Sequence, residues 1–597
     1  MRKLFFIFLF LGMAYSNVAS AMMEITIYLT RSNTDQASAT TTYDYVDKYT
    51  LEVQNTQDFI QAVNGVTGLN LVQSGPTGQN VSLFMRGGDS NHTLVTMNGL
   101  PIKDASTTNG LHDFGQDFMS SINAIEIIKN PSGAMVGPNS IGGVVNFITG
   151  EFYENSITFK AGSNNTKGME LRVHNQTKNG THLFITASGT DSDGISIKEG
   201  TEDDGYSVRN FSIGSYTRLE DGYIKTNILH KDNDSDLDGT SDDPDYTANN
   251  KNNVYQIIGK KNNKHGHMDF AIGHTTYDRT YTNGSEIDEY DSNSTNILLS
   301  QTIEGDKLDI VPGIEYEAQE AKFDNRGSYN SSVDANHWST AYFVNGNWRA
   351  VENGMISTGI RLDHLEDYDD YYTYKLGGYY YLTEDLKLRT NWSNSVRTPT
   401  LYEKYGADNF GYSGNPNLDV EKGETLDFGF TYKAFDMVYY TTDIDNSITY
   451  GNSTYSNVSG TSERKGVEAN YNYVFNQEWQ HNIGGHWNIA EDSSGTQLLR
   501  RPKWTFNQSF VKQELTGKFT TTVTHSYMGE HVDLDASTYA RKDMPGVHLF
   551  DLHHSINFSE NTSITASLMN VTDEDYERPD GYNQNGRTWL ISYKKKF

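Results

Sequence analysis

Apolar residues early in the chain come in short runs broken by glycine turns. Val81–Met85, Thr93–Met97, Ala124–Ile128 and Val144–Ile148 are separated by Arg86-Gly87-Gly88, Asn98-Gly99 and Gly142-Gly143. Runs of this length bounded by Gly and Asn-Gly predict strands joined by tight turns, not amphipathic helix. Thr56–Val63 predicts a short helix, with Thr56 as N-cap, Asp58 in the first turn and Gly65 and Gly68 closing it. A strand from Leu69 to Val72 and a loop over Gly75–Asn80 follow.

From about Glu151 the pattern changes to long period-two stretches separated by polar loops. In Leu386–Trp392 the even positions would face lipid and the odd ones a lumen. Trp338, Thr340, Tyr342 and Val344 form a similar row opposed by Ser339 and Asn345, and Ile157–Ala161 and Ile564–Leu568 repeat it. Apolar-out, polar-in alternation of this kind predicts a transmembrane β-barrel, which spans lipid without an apolar helix because closure pairs every backbone group. At the N-terminus, Arg2-Lys3, the apolar Leu4–Met13 and Ala19-Ser20-Ala21 form an export signal, with cleavage expected after Ala21.

Composition agrees with a barrel. Only 36% of residues are hydrophobic, yet 39 Tyr, 27 Phe and 53 Gly supply aromatic girdles and turns. Such aromatic content disfavours disorder. A net charge of −30 argues against nucleic acid as a partner and favours cations. The absence of cysteine excludes disulfides and thiolate chemistry. No nucleophile elbow, zincin or phosphate-loop motif is present, so an enzyme is not expected. His553-His554, His265 and His267 are expected in solvated or lumen-facing roles, although His265 and His267 could share a metal from one strand face.

The strongest local chemical pattern is Asp232–Asp245. Counted from Asp234, carboxylates fall at positions 1, 3, 5, 9 and 12 with Gly239 at 6, the spacing of a calcium loop, though position 12 is Asp and flanking helices are lacking. A second acidic cluster holds Asp193, Glu202 and Asp204. With Asp232, Asp234, Asp236, Asp238, Asp243 and Asp245 these are the candidate Ca²⁺ ligands, the alternative being an acidic surface loop. Extracellular calcium sites work at roughly 10⁻⁴–10⁻³ M.

Arg86-Gly87 after a strand, Asn98-Gly99 in a turn, and the run from Glu126 through Asn130-Pro131 to Gly142–Asn146 resemble the plug of TonB-dependent outer-membrane receptors. The resemblance implies an all-β barrel of 22 antiparallel strands, with an N-terminal α+β plug in its lumen. It divides the chain into a signal peptide (1–21), a TonB-box segment and linker (22–40), a plug (41–150) and a barrel (151–597). Glu24, Ile25, Thr26, Ile27, Tyr28, Leu29 and Thr30 stand where that family has the strand that pairs with an inner-membrane TonB-type energy-transducing protein. Gln79, Asn80, Thr107 and Thr108 lie in loops that in the family touch ligand. Within the family the resemblance runs to the cobalamin (vitamin B12) receptors, on Gly414–Leu418, the terminal Asn570–Arg587 region and the acidic loops. It implies uptake of a scarce metal chelate, a corrinoid first, across the outer membrane of a Gram-negative bacterium. A siderophore or haem receptor is the alternative; a passive porin or adhesin fits less well.

Overall fold

The computed structural model describes residues 39–597 except 201, 240, 241, 326–330, 367 and 409. The export signal and Glu24–Thr30 therefore lie outside the described residues.

The first unit contains β1 (Tyr43–Val46), α1 (Lys48–Val53), α2 (Phe59–Val63), β2 (Leu69–Gln73), β3 (Val81–Met85), β4 (Thr93–Met97), β5 (Leu100–Pro101), β6 (Ile122–Ile128), α3 (Gly133–Val136) and β7 (Gly143–Thr149). Its main sheet runs β1-β6-β7-β4-β5, with β4 and β7 parallel. The apolar runs bury their side chains between this sheet, the β2–β3 hairpin and the helices: Phe59, Leu83, Met85, Met97, Phe114, Ile125, Val145 and Phe147 form one core. Phe59 stacks on Phe114 at 4.4 Å. Asn98 (φ 51°) and Gly99 (φ 81°) make the hairpin turn that the Asn-Gly pair predicted. The α2 cap differs from expectation. Asp58, not Thr56, accepts the Gln61 amide at 2.9 Å, and the helix starts at Phe59. A carboxylate is the better acceptor for the orphan amides of the first turn. α1, capped by Asp47, is an element that the sequence pattern does not predict.

The remainder closes into a barrel of 22 antiparallel strands around this unit. It opens with β8 (Ser156–Gly162), β9 (Lys167–Gln176), β10 (His182–Ile195), β11 (Asp204–Leu219), β12 (Gly222–Asp236) and β13 (Tyr246–Asn263). The last strand, Thr588–Lys596, pairs with β8 and completes the ring. Alternation is as predicted: Lys387, Arg389 and Asn391 are buried toward the lumen, while Trp392, Tyr342 and Val344 are exposed on the outer wall. No helix among the described residues is long and apolar enough to cross a membrane. Strands meet in turns of two to five residues at the end that carries the C-terminus, and in long loops such as 398–420 and 529–546 at the other. Short turns mark the periplasmic end of such barrels and long loops the extracellular end. The 18 residues of β13 exceed the roughly 10 that a tilted strand needs to span a bilayer, so this wall projects outward.

The histidines correct one expectation. His553 is buried toward the lumen and accords with it, but His554 shares the outward face of the exposed Leu552. Adjacent strand residues point to opposite faces, so a His-His pair cannot have both rings in the lumen. His267 pairs with Asp269 and Glu304, at 3.3 Å each.

Candidate functional site

At the extracellular end, an open cleft of about 850 Å³ separates the plug's outer loop from the wall loop that follows Arg397. Lys103 and His112 line it from the plug; His337, Tyr368, Arg397 and Lys404 line it from the wall. Basic side chains thus line a cleft in an acidic protein, with Arg397 and Lys404 buried in its wall. Lys103 pairs with Glu317 at 2.7 Å, and Arg397 with Glu403 and Glu421 at 3.1 and 3.0 Å. The helix α4 (Leu401–Tyr405) presents Tyr405 to the cleft and buries Lys404 against the Tyr368 ring at 4.0 Å; Thr400 and Glu403 close its first turn as a reciprocal capping box.

Deeper in, charged groups fasten the plug to one sector of the wall. Arg86 donates to both carboxylate oxygens of Glu468, at 2.8 and 3.1 Å, and lies 4.6 Å from the Tyr440 ring. Lys129 reaches Glu468 at 3.2 Å and Asp44 at 2.8 Å. Asn130 donates to Asp427 at 2.5 Å, and His92 contacts Glu421 at 2.5 Å. Arg501 and Arg464 both meet Asp89. Arg86, Lys129 and Glu468 are buried, so each charge depends on the others for compensation.

The facing sector differs. Between the plug and the strands Trp504–Gln513, Phe519–Met528, Val547–Ser559 and Thr562–Met569, only two hydrogen bonds join described residues. These are Asn64 to Asp551 and Asn507 to Thr67, both 3.4 Å. Open polar cavities of about 1220, 1320 and 1020 Å³ run along this seam. Successive cavities share Thr56, then Gln61 and Asn507, so they form one wet path beside α1 and α2.

Above the membrane band, three carboxylates converge. Oxygens of Glu202, Asp204 and Asp238 lie within 4.8 Å of one another, where the β10–β11 and β12–β13 loops meet. Backbone amides of Ile197 and Lys198 donate to Asp204 and Asp238 at 2.7 and 3.1 Å. Glu202 Oε1 and Asp204 Oδ1 are buried without a donor. Burial, reinforced by the neighbouring carboxylates, raises all three: Asp204, at the outer tip of β11, to about 7, and Glu202 and Asp238 above the usual range. Hard oxygen ligands left short of donors suit a divalent cation such as calcium.

The other predicted ligands are held elsewhere. Asp232 and Asp234 sit on β12, where both accept from Asn249, and Asp236 accepts the Gly205 amide at 3.1 Å. Extended backbone sets these three on one strand face instead of wrapping them around a loop. Asp243 donates its amide to Asp238 and accepts from Asn283, and Asp193 and Asp245 are exposed. Among the plug-loop residues, Gln79 is buried and tethers the plug to the Asp236 carbonyl at 2.7 Å, while Asn80 is exposed. Thr107 caps its own turn, and the Thr108 carbonyl accepts from Thr400 at 3.0 Å. The plug fastening leaves no pattern in the sequence. Arg86 and Asn130 stood inside the motifs, but Glu468 and Asp427 are indistinguishable in sequence from other lumen-facing acids.

A closed barrel, stoppered by an N-terminal domain whose core extends to Leu229 and Val254 of the wall and which buried ion pairs fasten in place, defines a plugged outer-membrane transporter. The chain belongs to the TonB-dependent receptor family: the model described as "TonB dependent receptor-like, beta-barrel" matches residues 159–571, and "TonB-dependent Receptor Plug Domain" matches 35–144. Members are transporters, not enzymes, of the Gram-negative outer membrane, and the family implies a TonB-type partner and a chelate ligand. Among similar proteins, the vitamin B12 transporter BtuB of Vibrio cholerae is 23% identical over 614 residues, 98% of this chain and 97% of the relative. BtuB of Photobacterium profundum is 24% identical, over 92% of each. In fold, the siderophore receptor PirA of Acinetobacter baumannii superposes with TM-score 0.81 at 14% identity, covering 94% of this chain and 99% of that one. The ferric enterobactin receptor PfeA of Pseudomonas aeruginosa gives 0.79 at 14% identity, covering 93% and 98%.

Proposed function

We propose that this receptor takes up a corrinoid, cobalamin in the first place, and that calcium orders its outer loops for capture. The observation that carries the ligand is the end-to-end sequence similarity to vitamin B12 transporters. The convergence of Glu202, Asp204 and Asp238 supports the calcium half.

The chain's own residues suggest the sequence of events. Ligand is captured in the cleft between the plug loop of Lys103–His112 and α4, where the exposed Tyr405 meets it. Calcium, when bound, would neutralise Glu202, Asp204 and Asp238 and hold their two loops together beside the plug loop of Gly75–Asn80. The N-terminal segment containing Glu24–Thr30 pairs with the TonB-type partner as an added strand. Traction on it reaches β1 first, because β1 is an edge strand of the plug sheet and pairs only with β6. A scarce ligand must be bound at roughly nanomolar affinity, about −12 kcal/mol, and so leaves slowly unless work is done on its site.

Labelled cyanocobalamin offered to cells that carry this chain as sole outer-membrane receptor tests the reading. Depletion of nanomolar cobalamin that needs the TonB-type protein and weakens in chelator is expected. Growth on ferric siderophores or haem with no cobalamin depletion would overturn it and give the iron-chelate alternative.

A further inference from the structure

Four neighbouring wall strands carry a polar track on the face that lipid would touch. They are Trp479–Glu491, Trp504–Gln513, Phe519–Met528 and Val547–Ser559. Trp479, Phe510, Val523, Phe550 and Leu552, all 36–42% exposed, mark their outward positions. Residues two apart on a strand share a face, so His481, Gln508, His525 and His548 lie among them. Inward-facing Thr524 and Asp551, which bond each other at 3.3 Å toward the lumen, confirm the register.

These four side chains touch in succession. His481 Nε2 is 3.4 Å from Gln508 Oε1, Gln508 Nε2 is 3.2 Å from His525 Nδ1, and His525 Nε2 is 3.0 Å from His548 Nδ1. Each ring also lies flat on an aromatic neighbour: His481 on Phe510 at 3.7 Å, His525 on Phe550 at 4.4 Å, His548 on Tyr527 at 4.4 Å. The track climbs from near the short-turn end at His481 to near the long-loop end at His548, and so crosses the depth of the bilayer.

Ionisable and amide groups facing hydrocarbon are costly, and in membranes they mark faces that another protein covers. The track's internal bonds use both ring nitrogens of His525 but only one each of His481 and His548. The second amide hydrogen of Gln508 and the far ring nitrogen of His548 remain to be met. Charge decides what meets them. Between Lys512 at one end and Glu491 at the other, this face carries no charged side chain. It therefore offers nothing to a lipid phosphate or to a charged helix. Neutral imidazole and carboxamide are each donor and acceptor at once, so the track is complementary to itself.

The geometry points to a second copy of this chain as the occupant, in a two-fold pair about an axis along the membrane normal. A closed isologous contact places the same patch on both sides, and two ascending tracks related this way cross at their middle, near Gln508 and His525. The aromatic rings under the track supply the flat apolar contact around that crossing.

The cysteine-free chain makes the test direct. Single-cysteine variants Val523→Cys, beside the track, and Leu376→Cys, exposed on another part of the wall, are oxidised in native outer membranes and run without reductant. A disulfide-linked dimer at least tenfold more abundant for Val523→Cys is expected. Adding His525→Leu and His548→Leu should cut it at least fivefold while heat-modifiable barrel mobility, which reports folding, is retained. Equal cross-linking at the two positions overturns the proposal, as does a yield untouched by the leucines. A photo-cross-linker at position 523 that captures lipopolysaccharide or a different protein also overturns it.

Discussion

Replacing Glu468 with Ala should loosen the plug without unmaking the barrel. The substitution leaves Arg86 and Lys129 buried without the carboxylate that both contact, at 2.8 and 3.2 Å. Removing one partner of a buried ion pair costs about 3–5 kcal/mol, because the surviving charge loses its compensation. Asp44 stays 2.8 Å from Lys129 and Asp427 stays 3.8 Å from Arg86, so the lower end, about 3 kcal/mol, is expected. At 1.4 kcal/mol per tenfold, the open population of the plug should rise about a hundredfold. Hydrogen exchange followed by mass spectrometry reads this directly: amides of β6 and β7 should lose protection while those of β11 and β12 do not. Replacing Arg86 and Glu468 together by Leu should recover much of the loss, since an apolar pair carries no uncompensated charge. Plug protection within twofold of the parent in Glu468→Ala would refute the fastening argument.

Three further outcomes follow from the same geometry. Because Asp204 is raised to about 7 by burial and nearby carboxylates, the calcium-free loop arrangement is most stable below the unfolded value and is lost as pH climbs through 7; calcium affinity measured by titration calorimetry should fall below pH 7, and Asp204→Asn should weaken it at least tenfold, whereas a pH-independent affinity would contradict the shared site. A disulfide joining Asn64→Cys to Asp551→Cys staples the wet seam and should block uptake but not binding, reversibly with reductant, while Ser140→Cys with Ser395→Cys, whose hydroxyls lie 3.0 Å apart in the fastened sector, should leave uptake intact; block by both would mean that the plug leaves as one body. Gly143→Ala meets both φ +135° and the Ile128 carbonyl, 2.1 Å from the added Cβ, so it should destabilise the plug by about 1–3 kcal/mol, seen as a lowered urea midpoint.

Local pattern was enough for much of the fold. Val81–Met85 and Thr93–Met97 are strands with the predicted bounds, and the alternation of Leu386–Trp392 assigns lipid and lumen faces correctly, because a strand's period of two is written in its own residues. Asn98-Gly99 dictates its turn for a similar reason: the left-handed conformations it needs are open to those two residues. Asp47 and Asp58 took the caps because a carboxylate outcompetes a hydroxyl for free amides, a preference too small to read against neighbouring candidates.

What the chain alone determined, then, is which stretches are strands, where they turn and which side of each is greasy. Only the closed ring could decide that Glu468 meets Arg86 across 382 positions, that Asp238 joins Glu202 and Asp204 instead of its own neighbours on β12, and that His525 looks outward at His548. Those pairings depend on the stagger between distant strands, and a lumen-facing acid or an outward-facing histidine carries no sequence mark of the partner that the stagger will bring opposite it.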